Sequence, residues 1–334
     1  MNLTKIVTFD YLRDNSLAHV KISSAFKQNL KKRILDKYVT LSKCSQKVGI
    51  HKATLHYMLN SSKFIKFDKL LRVAKELEIS DDETYSKIIS LFARGSKTSK
   101  ELILSKELDI DEFFVEGYAL YLAEGDNGSN GRKIPRKLRF TNSDESVMNH
   151  MINWINTYFP NNDFYVNVIN PKGNEINFDE IKKLIKHDKL KLKHENYNKV
   201  VKYKLCFDSA LLIDFILAIK NIVKELCSKN PKLASAYIRG MMIGEGTAYF
   251  NKSRYVRIEM RNEKEIRYLH RLLSMLGFDC TPTLRSNRHD MWSLYIGAKQ
   301  LDKFAREIGF GVHQERQKIL LEASQKVLRV NQYC

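Results

Sequence analysis

Apolar residues recur along this chain with two periods, and the change from one to the other marks out its elements. Across residues 21–38, Phe26, Leu30, Ile34 and Leu35 keep helical spacing on an otherwise basic stretch, which predicts a helix. Across 40–60, Leu41, Cys44, Val48, Ile50, Leu55 and Leu59 form one face of two short helices that meet at Gly49, a residue able to take a left-handed turn without steric cost. His51, Lys52, Thr54 and His56 are left facing outward. Residues 67–79 predict a further helix. Ser80 and Glu83 then have the spacing of a capping box, opening a helix expected to run to about Arg94. Residues 95–100 are small, polar and interrupted by glycine, as a linker would be.

From about residue 101 the pattern is written twice. Residues 117–125 and the stretch 236–250 each predict a helix that carries small residues at i and i+4 (Ala119 and Ala123; Gly240 and Gly244) and stops on Glu124-Gly125 or Glu245-Gly246. Two glycines inside a helix cost roughly 1 kcal/mol each relative to alanine, so the bare face predicts a close helix partner, and the other copy supplies it. A strand follows each copy, at 136–142 and 254–260. Next comes a helix whose apolar set begins 23 residues after the glutamate: Val147, Met148, Met151, Ile152 and Ile155 in the first copy, Tyr268, Leu269, Leu272, Leu273 and Leu276 in the second. Further on, Leu205, Phe207, Leu212 and Phe215 match Leu294, Ile296, Leu301 and Phe304 at a constant offset of 89, each set passing from strand alternation to helix. The expected fold is α+β: two αββαββα repeats, each burying one sheet face. The predicted boundaries are 1–79 for an all-α domain, 80–104 for a helix and linker, 105–228 for the first repeat and 229–334 for the second.

If the small faces pack together, Glu124 and Glu245 meet at two helix carboxyl ends, where they repel each other and the helix dipoles. A hard divalent cation relieves this, because Mg²⁺ prefers one or two carboxylates plus phosphate oxygens and waters. Metal-assisted hydrolysis of a phosphodiester is the chemistry such a pair suggests.

Charge supports a polyanionic partner. The chain has 57 Lys/Arg against 38 Asp/Glu, a net +19, and residues 1–80 hold 16 basic against 6 acidic residues. Nine lysines fall within 182–204, including Lys202 and Lys204, which suits a phosphate-contacting loop and strand, although a solvated excursion has the same composition. Residues 284–290, with Arg285 and Arg288, form a loop between strands that is better suited to DNA than to a core. Arg139 and Arg257 on the predicted strands are further DNA-contact candidates. The five cysteines are scattered without a CxxC pair, and neither a long apolar run nor a signal-peptide layout occurs, so a soluble cytoplasmic protein is expected.

Residues 40–60 resemble the helix-turn-helix of phage-repressor type, with Cys44 and Ser45 where Leu and Ala are usual; a plain helical hairpin has the same apolar pattern. The resemblance implies base contacts from His51, Lys52 and Thr54, and phosphate contacts from Lys43, Lys47 and Lys63. Residues 105–325 resemble the single-chain, two-repeat LAGLIDADG homing endonucleases. That resemblance implies a saddle of strands on double-stranded DNA and a central interface of motif helices through Ala119, Ala123, Gly240 and Gly244. It also implies Mg²⁺ or another divalent cation such as Mn²⁺, held by Glu124 and Glu245 beside Gly125 and Gly246. A basic residue near each site would come from His313, Gln314, Arg316 or Lys318 in the second repeat, of which Gln314 and Lys318 are the catalytic candidates, and from Lys220 or Lys224 in the first. The family reading predicts a monomer with an internal two-fold that cuts both strands at a defined site. A DNA-binding regulator that keeps the scaffold, or a maturase acting on intron RNA, is the alternative.

Overall fold

The computed structural model describes residues 4–94, 100–126, 137–196, 199–286 and 290–330, with backbone alone for 326–330. The expected linker therefore lies outside the described residues, apart from Lys100.

The amino-terminal unit contains β1 (Thr4–Val7), β2 (Ala18–Ile22), α1 (Ser24–Tyr38), α2 (Leu41–Val48), α3 (Lys52–Asn60), β3 (Ile65–Lys66), α4 (Phe67–Glu76), α5 (Asp81–Ser86) and β4 (Ile88–Ala93). It is not all-α. A three-stranded antiparallel sheet of order β3-β2-β4 backs the helices. The predicted capping box exists, since Ser80 accepts from the Glu83 amide at 3.1 Å, yet its helix stops at Ser86. Residues 88–93 pair with β2 instead, burying Ser90, Leu91 and Ala93, so tertiary pairing overrides the local helical reading and carries this unit past residue 79. Gly49 caps α2 at φ +63°, as the turn demands.

The first repeat runs through β5 (Glu107–Ile110), α6 (Glu112–Glu124), β6 (Gly125–Asp126), β7 (Leu138–Asn142), α7 (Glu145–Tyr158), β8 (Tyr165–Pro171), α8 (Phe178–Leu184), β9 (Leu190–Glu195), β10 (Lys202–Phe207), α9 (Ala210–Ala218) and α10 (Lys220–Lys229). The second runs through α11 (Pro231–Glu245), β11 (Gly246–Phe250), β12 (Arg254–Met260), α12 (Glu263–Met275), β13 (Thr283–Leu284), β14 (Trp292–Gly297), α13 (Leu301–Glu307) and α14 (Gln314–Val330). The sheets have orders β6-β7-β10-β8-β9 and β11-β12-β14-β13. The second repeat thus follows the expected αββαββα order with one further helix, α14, at its end, and the first adds α8 and β9, with β9 lying parallel to β8 along the sheet edge. β1 pairs antiparallel with β5, so the beginning of the described chain is built into the first repeat.

The offset of 89 holds in the strand register, where Leu205 pairs with Phe140 and Leu294 with Ile258, the partners of Gly125 and Gly246, and all eight of its residues are buried. The matching of α7 with α12 shifts by three residues. Gly125 pairs with Phe140 and Gly246 with Ile258, and the helix caps Asp144 and Asn262 are likewise 118 apart. Under that register Met151 matches Leu269, Trp154 matches Leu272 and Ile155 matches Leu273, all buried. A three-residue slip is almost one helical turn, so an i, i+3, i+4 pattern overlaps itself and conceals it.

Candidate active site and nucleic-acid interface

The helices α6 and α11 cross on their small faces. A Cβ on Gly240 would lie 2.2 Å from the Glu116 carbonyl oxygen and 2.8 Å from the Ala119 Cβ, and one on Gly244 would lie 2.6 Å from the Ala123 Cβ. Ala119, Ala123, Gly240 and Gly244 thus meet at this crossing. Gly117, in the same motif, clears room for the Trp154 indole of α7, whose Nε1 donates to the Phe114 carbonyl at 2.9 Å. Gly125 and Gly246 have extended backbones, with φ of −74° and −80°. They are glycines for space, because a Cβ there would meet the Tyr121 or Met242 carbonyl oxygen of the preceding helical turn at 2.3 or 2.5 Å.

This crossing brings the two glutamates together at adjacent helix ends, with Glu124 Cγ 3.1 Å from where a Gly244 Cβ would lie. Burial, and next the Glu245 carboxylate, raise Glu124 above the usual carboxylate range, against the opposing pull of Arg316. Glu245 is more exposed but hemmed in by protein, and desolvation raises it too, again opposed by Arg316. Among the described residues no group of three or more His, Cys, Asp or Glu is arranged to hold a metal. Two desolvated carboxylates nevertheless fit an ion that completes its shell with phosphate oxygens and water.

Two clefts flank the pair. One, of about 700 Å³, is lined by Glu124, Thr141, Asp144, Lys202, His313 and Arg316, among others. The other, of about 430 Å³, is lined by Glu245, Lys220, Glu259, Arg261 and Glu265, among others. Arg316 enters the first from α14 and donates through Nη1 to the Met242, Ile243 and Gly244 carbonyls at 3.3, 2.8 and 3.0 Å, capping α11 beside the glutamates. Gln314 and Lys318, the predicted catalytic pair, are exposed and line neither cleft. They stand two residues either side of Arg316, about 200° away around the helix, so one face carries the arginine and the opposite face carries them. Of the first-repeat candidates, Lys224 is held by Glu265 at 2.6 Å and does not line the second cleft, while Lys220 is 3.9 Å from the same carboxylate and does.

Strand register sorts the DNA-contact candidates. Lys204 pairs with Thr141 and Asn167, and Cys206 with Arg139 and Tyr165, which puts Arg139, Lys202 and Lys204 on the sheet face turned away from buried Leu138, Phe140 and Leu205. Lys191 and Lys193 of β9 share that face, and the Lys191 Nζ lies 3.9 Å from the Tyr165 ring centre. In the second sheet Arg257 pairs with Thr247 and Tyr295 on the corresponding face, and Arg285 donates to the Tyr295 hydroxyl at 2.8 Å. Arg288 lies outside the described residues. On the amino-terminal unit, Lys43, Lys47, Lys52 and Lys63 are exposed and Thr54 is half-buried. His51 has a structural task as well, its Nδ1 accepting from the Ala53 amide to cap α3.

Residues 232–309 match the LAGLIDADG-like domain. The matched segment spans the second repeat from α11 through α13. No curated protein matches the chain. Among solved structures the chain is similar to I-DmoI in complex with DNA and Mn, at 18% identity over 61% of this chain and 99% of that one, with a TM-score of 0.39. It is also similar to I-WcaI bound to its DNA recognition sequence, at 12% identity over 63% and 86% with a TM-score of 0.38. The N-terminal LAGLIDADG domain of DUF199/WhiA aligns at 13% identity over 64% and 82%, with a TM-score of 0.33. Among the described residues no helix is long and apolar enough to cross a membrane.

Proposed function

We propose that the chain is a site-specific, divalent-cation-dependent double-strand DNA endonuclease of homing type. The observation that supports it is the pair of glutamates brought together at two packed helix ends. A pure binder gains nothing from raised carboxylates facing a polyanion. Mg²⁺ or Mn²⁺ held by Glu124 and Glu245 would supply an activated water and stabilise the leaving oxygen. The chain's own residues position the substrate: Lys220 in one cleft and Arg316 and His313 in the other place cationic or hydrogen-bonding groups beside each acid. The basic sheet faces, α3 and the lysines around it hold duplex DNA, and the protein works as a monomer because its two-fold is internal.

Arg316 favours a second reading. Its guanidinium faces both glutamates from within the protein, a built-in cation that suits a scaffold kept for sequence-specific binding alone. The test is incubation of the protein with a randomised duplex library in Mg²⁺, sequencing cut ends and retained fragments, beside Glu124→Ala and Glu245→Ala. Defined double-strand ends that vanish in both variants are expected. Enriched but uncut sequences, recovered equally with the variants, would leave the regulator.

A further inference from the structure

The two sheet faces handle their positive charge differently. On the first, Asp126 lies opposite Arg139 across the β6–β7 pair, but among the described residues no ion pair within 4 Å ties down Arg139, Lys191, Lys193, Lys202 or Lys204. On the second, Glu259 sits between both arginines: its Oε1 is 3.3 Å from Arg257 Nε and 2.8 Å from Arg285 Nη1. Tyrosines complete the arrangement. Arg257 donates to the Tyr249 hydroxyl at 2.9 Å and Arg285 to the Tyr295 hydroxyl at 2.8 Å. Tyr249 stacks on Tyr255 at 4.5 Å, and Tyr255 meets Tyr295 edge-on at 5.5 Å. The tyrosine hydroxyls thus fix both guanidiniums in direction, while the single Glu259 carboxylate offsets one of their two charges, and the side chains are only 15 and 25 % exposed.

A free guanidinium is attracted to any phosphate, whereas base discrimination needs a fork held in one orientation against a base edge. We propose that Glu259 is a specificity-determining residue. It withholds Arg257 and Arg285 from the DNA backbone and presents them to base edges, so that the first sheet grips and the second reads. This rests on the sheets being the DNA-binding surface.

The experiment measures affinity against salt for a random-sequence duplex and for the duplex selected from the library. Glu259→Gln keeps the volume and removes the charge. It should strengthen random-sequence binding, steepen its log–log salt slope by about 1 to 2 from the ~0.9 that each phosphate contributes, and narrow the ratio of selected to random affinity. Arg257→Gln with Arg285→Gln should weaken selected-site binding while leaving random-sequence affinity and slope nearly unchanged. That pair serves equally if Glu259→Gln does not fold. An unchanged slope in Glu259→Gln, or equal loss on both duplexes in the arginine pair, would overturn the proposal. Wild-type protein that binds neither duplex, or Lys202→Gln with Lys204→Gln that changes no binding, would instead remove the DNA-binding reading beneath it.

Discussion

Glu124 and Glu245 are held in a state the fold would rather protonate, and this sets the sign of their pH dependence. Their folded values lie above the ordinary 4.5, so the native state binds their protons more tightly than the unfolded chain does. Stability from this source is present below about pH 4.5 and is lost as pH rises through the raised folded values. Glu124→Gln and Glu245→Gln should therefore each raise the unfolding midpoint at pH 7 while abolishing cleavage, and the gain should shrink on acidification; scanning calorimetry across pH reads it. Mg²⁺ should raise the wild-type midpoint and leave the double variant unmoved. The acids are legible in the sequence because each ends a small-residue motif. Arg316 stands among four basic-segment candidates, and only the helical phase of α14 separates it from Gln314 and Lys318. His51 shows the opposite problem, since an alanine there removes a cap costing about 0.5–2 kcal/mol along with any base contact. Asparagine, which can cap, separates the two roles: His51→Asn should keep the thermal midpoint and lose only DNA affinity.

The crossing of α6 and α11 depends on Gly240 more than on Gly244, because the former faces backbone that cannot move aside. Gly240→Ala gains about 1 kcal/mol in helix propensity yet should destabilise the protein by a net of about 1–3 kcal/mol, read from urea unfolding. Elements with a local signature are legible in the sequence: the capped helices, the Gly49 turn, the paired motifs. β2, β3 and β4 are not, because a strand is defined by its partner, and Ala18–Ile22 finds Ile88–Ala93 about 70 residues away. β9 escapes for a similar reason, its alternating Leu190-Lys191-Leu192-Lys193 being masked by the lysine run around it. Lys191→Gln with Lys193→Gln should flatten the salt dependence of DNA binding by about 0.9 per lysine, measured by titration at several salt concentrations.

The whole molecule is joined more firmly than a domain on a linker. Beyond β1–β5, Tyr11 packs edge-on against Phe215 and the Asn15 amide donates to Asp214 at 2.7 Å. Phe9 and Leu12 are fully buried. Removing residues 1–12 should therefore loosen the first repeat itself, seen as faster amide exchange across 107–110. The same pairing also imposes an order of events during synthesis. β1 leaves the ribosome about 100 residues before β5 exists to receive it, a wait of about 5 to 20 s at ~5–20 residues per second. For that interval the nascent chain carries an unpaired strand whose partner is still to be made, which makes it a natural point for a chaperone to hold.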